Sequence, residues 1–242
     1  MSRARQIVAF GGGGFSMEAG NRLLDDYVLD ATGVERPKVC FLPTASGDAD
    51  HYIVRFYRHF PASRCEPTHV SLFRRDCGVN DLRAHLLAQD LIYVGGGSVI
   101  SMLGVWRAHG LDVALHDAWQ AGVVMCGLSA GSLCWFAEGI SAFHGESHRV
   151  HGLGLLPCSN AVHYDKEPER SEAYRAALAD GMVSGYAVDD GAALHFVGTE
   201  LARVVASRPA AIARRVQCVG GEVTEQPIPS EYLGTPAVAL AA

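Results

Sequence analysis

Short, nearly continuous apolar runs recur along the first half of the chain, each closed by glycine or proline and followed by a segment of helical periodicity. Residues 6–10 (QIVAF) stop at Gly11 to Gly14, and residues 17–32 carry apolar positions at i, i+3 and i+4, the spacing of one helix face. Residues 38–48 (KVCFLPTASGD) read as a buried strand ending in Pro, Ser and Gly, with a helix expected over 50–60. The pattern repeats with a strand in 66–73 (EPTHVSLF), a helix over 80–89, and a strand in 91–98 (LIYVGGGS) that closes on three glycines. Two helical stretches, 99–109 and 111–121, precede the apolar run VVMC at 123–126. Strands that are apolar on both faces and alternate with helices predict an α/β fold, a largely parallel sheet with helices on both faces. Right-handed crossovers then gather the glycine-rich turns at the carboxyl ends of the strands, where such folds bind ligands.

The pattern loosens beyond Phe136. Residues 151–165 (HGLGLLPCSNAVHYD) predict a loop and a short strand reaching His163, and 169–180 a helix. Residues 185–198 (GYAVDDGAALHFVG) predict two strands joined by a tight Asp-Gly turn, and the tail from Pro209 a short terminal hairpin. No internal repeat, low-complexity linker or domain boundary stands out, so one domain over residues 1–242 is expected.

Composition narrows the function classes. A net charge of −6 without any Lys/Arg run argues against a nucleic-acid partner. The apolar run before the first glycines is too short for a secretory signal, and the longest apolar stretch, 122–136, is interrupted by Gly127, Ser129, Gly131 and Ser132. Neither a leader nor a membrane span is expected. The seven cysteines (40, 65, 77, 126, 134, 158, 218) include no CxxC pair, and several sit in apolar runs. Buried thiols in a reducing cytoplasm are the expectation.

Chemistry concentrates in residues 123–136, VVMCGLSAGSLCWF. Gly127-Leu128-Ser129-Ala130-Gly131 is a GxSxG sequence with a strand before it and a helix after it, the context of a nucleophile elbow. Glycines two residues to either side remove the Cβ atoms that would collide in so sharp a turn, and the helix start aims N–H groups at an oxyanion formed there. A turn that merely needed small residues explains the same letters.

A nucleophilic serine needs a base and an orienting acid. Of eleven histidines, His163 in SNAVHYD is the best placed, at the end of a short apolar run. His195 lies inside a strand pattern and reads as structural, and His144, His148 and His151 read as a solvated loop rather than a metal cluster. For the acid, the Asp189-Asp190-Gly191 turn competes with plain hairpin chemistry. The GGGGF stretch misses the dinucleotide GxGxxG register because Phe15 and Ser16 occupy the required positions. YVGGGS, in contrast, offers a bare backbone able to present a second N–H to the oxyanion.

In this order and spacing YVGGGS, CGLSAGSLCWF, NAVHYD and VDDGAAL resemble the peptidase E family, and FLPTASGD and GGGGFSM look like its peptidase-E-like branch. That family comprises cytoplasmic serine peptidases typified by aspartyl dipeptidase and related to cyanophycinase. The resemblance implies a flavodoxin-like sandwich related to class I glutamine amidotransferases. It implies Ser129 as nucleophile, His163 as general base and Asp190 as the acid, with Gly96 or Gly97 and Ala130 supplying the oxyanion N–H groups. The substrate would be a dipeptide or short peptide, with no metal or organic cofactor, no nucleic acid and no membrane; a homodimer is one option. Two departures stand out: Ser98 follows the three glycines where the family has Asn, and the acid is Asp where aspartyl dipeptidase has Glu. Ser98 borders the substrate, which bears on preference for an N-terminal aspartate. Such preference needs a cation, for which Arg170 is the candidate against a solvated helix charge.

Two other classes fit parts of the sequence. One is an α/β-hydrolase-type esterase using Ser129, Asp165 and His195, although that fold orders its triad Ser, acid, His. The other is a non-catalytic, amidotransferase-like small-molecule-binding domain. Cys126 and Cys134 flank the elbow without occupying the nucleophile position, which disfavours a thiol amidotransferase.

Overall fold

The alternating runs of the first half fold as β1 (Gln6–Phe10), α1 (Gly14–Met17), α2 (Leu23–Asp30), β2 (Lys38–Leu42), α3 (Asp50–His59), β3 (Glu66–His69), α4 (Leu82–Leu87), β4 (Leu91–Val94), α5 (Val99–His109), α6 (Leu111–Gln120), β5 (Val124–Leu128) and α7 (Ala130–Leu133). The second half adds β6 (Phe136–Ser141), β7 (His148–His151), β8 (Leu156–Ala161), α8 (Pro168–Ala179), β9 (Gly185–Val188), β10 (Ala192–Val197), β11 (Glu200–Ala206), β12 (Ala213–Val219), β13 (Glu222–Ile228) and β14 (Glu231–Tyr232). This computed structural model describes residues 3–73, 80–143 and 145–235.

Among the described residues the strands form two sheets, an eight-stranded one in the order β14-β11-β10-β1-β5-β4-β2-β3 and a six-stranded one in the order β13-β12-β9-β8-β6-β7. In the larger sheet β1, β5, β4, β2 and β3 run parallel, whereas β10 is antiparallel to β1. Alternate residues of each central strand serve opposite faces. Ile7, Ala9, Ile92, Val94 and Met125 pack towards α5, α6 and the second sheet. Val8, Phe10, Leu91, Tyr93 and Cys126 pack towards α2 and α3. A third cluster, with Tyr174, Leu178, Ile140 and Val216, seats α8 on the smaller sheet.

The second half departs from its sequence reading. VDDG is no hairpin turn: β9 pairs with β8 and β12 in one sheet, β10 with β1 and β11 in the other. The chain changes sheets at Asp189–Gly191. The tail is not a small terminal hairpin either, because β12 and β13 carry seven residues each and β12 joins the second sheet through β9. The helix expected over 17–32 starts only at Leu23, after Gly20 with φ +85°. No helix among the described residues is long and apolar enough to cross a membrane.

This topology gathers the glycine turns. β1, β5 and β4 are adjacent and parallel, so Gly11–Gly14, Ser129 and Gly95–Gly97 leave the same sheet edge side by side. The antiparallel β10 begins there, with Ala193 opposite Phe10, and delivers Asp190 to the same place.

Candidate active site

Ser129 stands between β5 and α7 with φ +54° and ψ −115°, a conformation non-glycine residues seldom adopt and one that surrounding structure must enforce. The flanking glycines enable it. A Cβ on Gly127 would lie 2.3 Å from the Gly131 carbonyl oxygen, and one on Gly131 would lie 2.3 Å from the Val94 carbonyl oxygen. Ser132 and Leu133 N–H both donate to the Ser129 carbonyl at 2.9 Å. The Ala130 N–H, first of the turn, has no acceptor within it.

His163 follows β8 by two residues, also at positive φ (+56°). Its own N–H donates to the Gly11 carbonyl at 3.1 Å, and its Nδ1 lies 2.6 Å from Asp190 Oδ1. A carboxylate there accepts a hydrogen bond from Nδ1–H, which keeps the proton on that nitrogen and leaves Nε2 as the basic one. Asp190 is anchored in turn: its N–H donates to Asp165 Oδ1 at 2.8 Å, and it bridges in parallel to Gly12. Asp165 thus faces the back of the acid. Its carboxyl is set below the usual range by hydrogen bonds from the Asp190 N–H and Lys166, which outweigh its partial burial.

The glycine loop after β4 passes over the elbow, with the Cβ position of Gly96 3.4 Å from Ser129 Cβ. Gly96 and Gly97 differ in duty. Gly96 N–H donates to the Tyr52 hydroxyl at 3.2 Å, which engages it away from the cleft. Gly97, at φ +140°, lines the cleft with Ser129 and Ala130, and a Cβ on it would sit 2.1 Å from the Ala45 carbonyl oxygen. Ser98 is the N-cap of α5, accepting from Ser101 N–H at 3.2 Å, and it borders a neighbouring depression rather than the Ser129 cleft.

Ser129, His163, Gly97, Ala130, Glu167 and Arg170 line one cleft of about 200 Å³. Arg170 is no solvated helix charge. It is 6% exposed, its Nη2 meets Glu167 Oε2 at 2.6 Å, and its Nη1 donates to the Val162 carbonyl at 3.2 Å. Its Nε is buried without a hydrogen-bond partner among the described residues. Burial pulls the guanidinium below its ordinary pKa against the pull of Glu167, and even so it remains a cation at neutral pH.

Other candidates lie elsewhere. His195 takes a hydrogen bond from the Tyr27 hydroxyl at Nδ1 (2.5 Å) and donates from Nε2 to Gln6 Oε1 (2.9 Å), so both ring nitrogens are spent. Burial lowers it to about 4. His148 and His151 belong to strand β7 instead of a loop, while His144 and Cys77 fall outside the described residues. Among the described residues no group of three His, Cys, Asp or Glu could hold a metal ion. Cys126 and Cys134 are buried, and burial raises both thiols well above their usual range. A larger cavity of about 670 Å³, bordered by Asp26, Asp30, Glu35, Arg36 and Arg64, has no histidine beside its one serine, Ser63.

Sequence reasoning missed Gly12, Glu167 and Tyr52. The GGGGF stretch, set aside as a failed dinucleotide fingerprint, was the available signal for the first. Gly12 makes room behind the His163–Asp190 pair.

Residues 7–204 match the model of peptidase family S51. The chain is 46% identical over 231 residues to an uncharacterized peptidase, YgaJ, of Bacillus subtilis (strain 168), covering 95% of this chain and all of that one. The crystal structure of a peptidase from an acI-B1 Actinobacterium superposes with a TM-score of 0.67 at 16% identity, over 94% of this chain and 95% of the other. A provisionally named peptidase E protein from Listeria monocytogenes EGD-e gives 0.58 at 17% identity, over 88% and 98%. At such identities these two likenesses bear on the fold.

Proposed function

The chain belongs to peptidase family S51, a family of serine peptidases, and from that premise we propose that it hydrolyses dipeptides or short peptides through Ser129, His163 and Asp190. One observation carries the reading. Among the described residues His163 is the one histidine bordering the Ser129 cleft, and it holds its Nδ1 2.6 Å from a buried carboxylate, leaving its other nitrogen to take a proton.

In this reading Ser129 Oγ attacks the scissile carbonyl carbon while His163 Nε2 takes its proton. The oxyanion accepts N–H groups from Gly97 and Ala130; Gly96, spent on Tyr52, is left out. The tetrahedral intermediate collapses, the C–N bond breaks, and the imidazolium protonates the departing amine. Water then attacks the acyl-serine with His163 as base again, and the acid product leaves. Asp190 orients the ring and stabilises its charged form.

Arg170 is the group proposed to face an acidic side chain at the N-terminal position, supported by its place in the cleft wall and by its buried Nε, which has no hydrogen-bond partner among the described residues. The cytoplasm is the proposed compartment, on the free, buried thiols of Cys40, Cys65, Cys126 and Cys134. The esterase alternative gains no support, because His195 has no free nitrogen and Asp165 is bound to the Asp190 backbone.

Reaction with a fluorophosphonate followed by peptide mapping tests the reading. The adduct should fall on Ser129 and be suppressed in His163→Ala. Absence of any adduct, or one on another serine, would defeat it.

A further inference from the structure

Beside the Ser129 cleft lies a second depression of about 620 Å³, walled by the Thr44–Ser46 turn, the face of α5 around Gly104 and Val105, and the rings of Phe73 and Phe143. Its hydroxyls are already committed. Thr44 Oγ1 accepts from Trp106 Nε1 at 3.1 Å, Ser46 Oγ donates to the Pro43 carbonyl at 2.8 Å, and the Ser98 and Ser101 hydroxyls pair at 2.9 Å. What the depression offers a guest is carbon.

Its two aromatic walls are 56% and 57% exposed, for Phe73 and Phe143 respectively. The Phe73 backbone is anchored: its N–H donates at 3.0 Å to Asp48 Oδ2, a buried carboxylate on a residue at φ +55°. Exposed apolar surface that is concave and rimmed by polar groups marks a binding site. The depression is also continuous with the catalytic cleft. Phe143 borders both, and Gly97 and Ser98, consecutive in the chain, face one each. The FLPTASGD segment builds this junction, since the Ala45 carbonyl accepts Ser98 N–H at 2.8 Å and packs against Gly97.

Resting on the peptidase reading above, we propose that this depression takes a large apolar side chain from the substrate residue that follows the scissile bond, away from Arg170. The cleft is then two-sided, cationic before the bond and apolar after it. The substrate class narrows to peptides with leucine, phenylalanine or a similar residue in the leaving position.

The test is kcat/KM for Asp-Gly, Asp-Leu, Asp-Phe, Ala-Gly, Ala-Leu and Ala-Phe, measured on the wild type, Gly104→Leu and Phe143→Ala. A Cβ on Gly104 meets nothing within 4 Å, and leucine suits a helix better than glycine, so Gly104→Leu fills the depression without disturbing the backbone. The wild type should favour a leucine or phenylalanine leaving residue over glycine by on the order of 10- to 100-fold. Gly104→Leu should shrink that ratio to about threefold or less, and Phe143→Ala should lower it as well. A wild-type ratio near unity, or one that neither variant changes, overturns the subsite while leaving the peptidase standing. No serine-dependent cleavage of any member defeats the peptidase reading and the subsite together.

Discussion

A Cβ on Gly12 would sit 2.0 Å from Asp190 Oδ1, the same oxygen that meets His163 Nδ1 at 2.6 Å. The imidazole nitrogen itself would be 2.8 Å from that methyl. Glycine at this position keeps His163 and Asp190, the proposed base and acid, in contact. Gly12→Ala should therefore reduce kcat by about 100-fold, the usual result of an ångström-scale misplacement at a reacting centre, while thermal unfolding and circular dichroism report a folded protein. Wild-type turnover in Gly12→Ala would separate this glycine from the chemistry.

His163 and His195 make opposite predictions. His163→Ala should cost about four orders of magnitude in kcat, and Asp190→Asn a comparable amount through the wrong tautomer. His195→Gln should keep turnover near the wild-type value and instead lose about 1–3 kcal/mol of stability, since Tyr27 and Gln6 are left with a poorer partner. Steady-state kinetics beside urea denaturation distinguishes them.

The depressed His195 pKa has a consequence for stability. Its folded value near 4 lies below its ordinary 6.5, so between those pH values the unfolded chain binds the extra proton. Stability is then fully present above about pH 6.5 and lost as the pH falls towards 4. The loss from this residue should be about 2 kcal/mol, the full shift being moderated by solvent at its edge. Denaturant titrations at pH 7, 5.5 and 4.5 should show a shallower decline in His195→Gln than in the wild type; parallel declines would refute the assignment.

Arg170 carries the acidic preference in the proposed function. Arg170→Met preserves much of the stem while removing the cation, so kcat/KM for Asp-Leu should fall at least about 100-fold relative to Ala-Leu. Equal losses for both dipeptides would give Arg170 a purely structural role through Glu167 and Val162.

Elbow geometry predicts a stability cost of a different kind. Gly131→Ala places a methyl 2.3 Å from the Val94 carbonyl oxygen and 2.8 Å from Val94 Cβ. Backbone has little room to yield, and a destabilisation of about 2–4 kcal/mol is expected from differential scanning calorimetry.

How much of this was legible in the sequence follows from the range of the interactions involved. The four central parallel strands, β1, β5, β4 and β2, announce themselves because residues such as Ile92 and Val94 on one face and Leu91 and Tyr93 on the other are all buried, giving continuous apolar runs. Ser129 was readable because an elbow is a local event, fixed by glycines two residues away. The second sheet was not. Strands such as β12 (ARRVQCV) are only partly buried, so their apolar residues are few and interleaved with arginine. The Asp-Gly turn misled for a related reason: Gly191 does take positive φ (+82°), but which strands flank a turn is decided by long-range pairing. Gly12 was the least legible residue of the site. Its reason for being glycine lies in Asp190 and His163, which no short window contains. For Arg170 the sequence leaves a substrate-facing cation and a solvated helix charge side by side, and only the Val162 carbonyl and Glu167 closing around it set the second aside.

The first experiment is hydrolysis of Asp-Leu and related X-Leu dipeptides by wild type and Ser129→Ala, prepared in parallel. The wild type should release leucine at a rate that Ser129→Ala lowers by at least about three orders of magnitude. Equal rates from the two proteins, or no dipeptide cleaved by either, would contradict Ser129 as the nucleophile of a working peptidase.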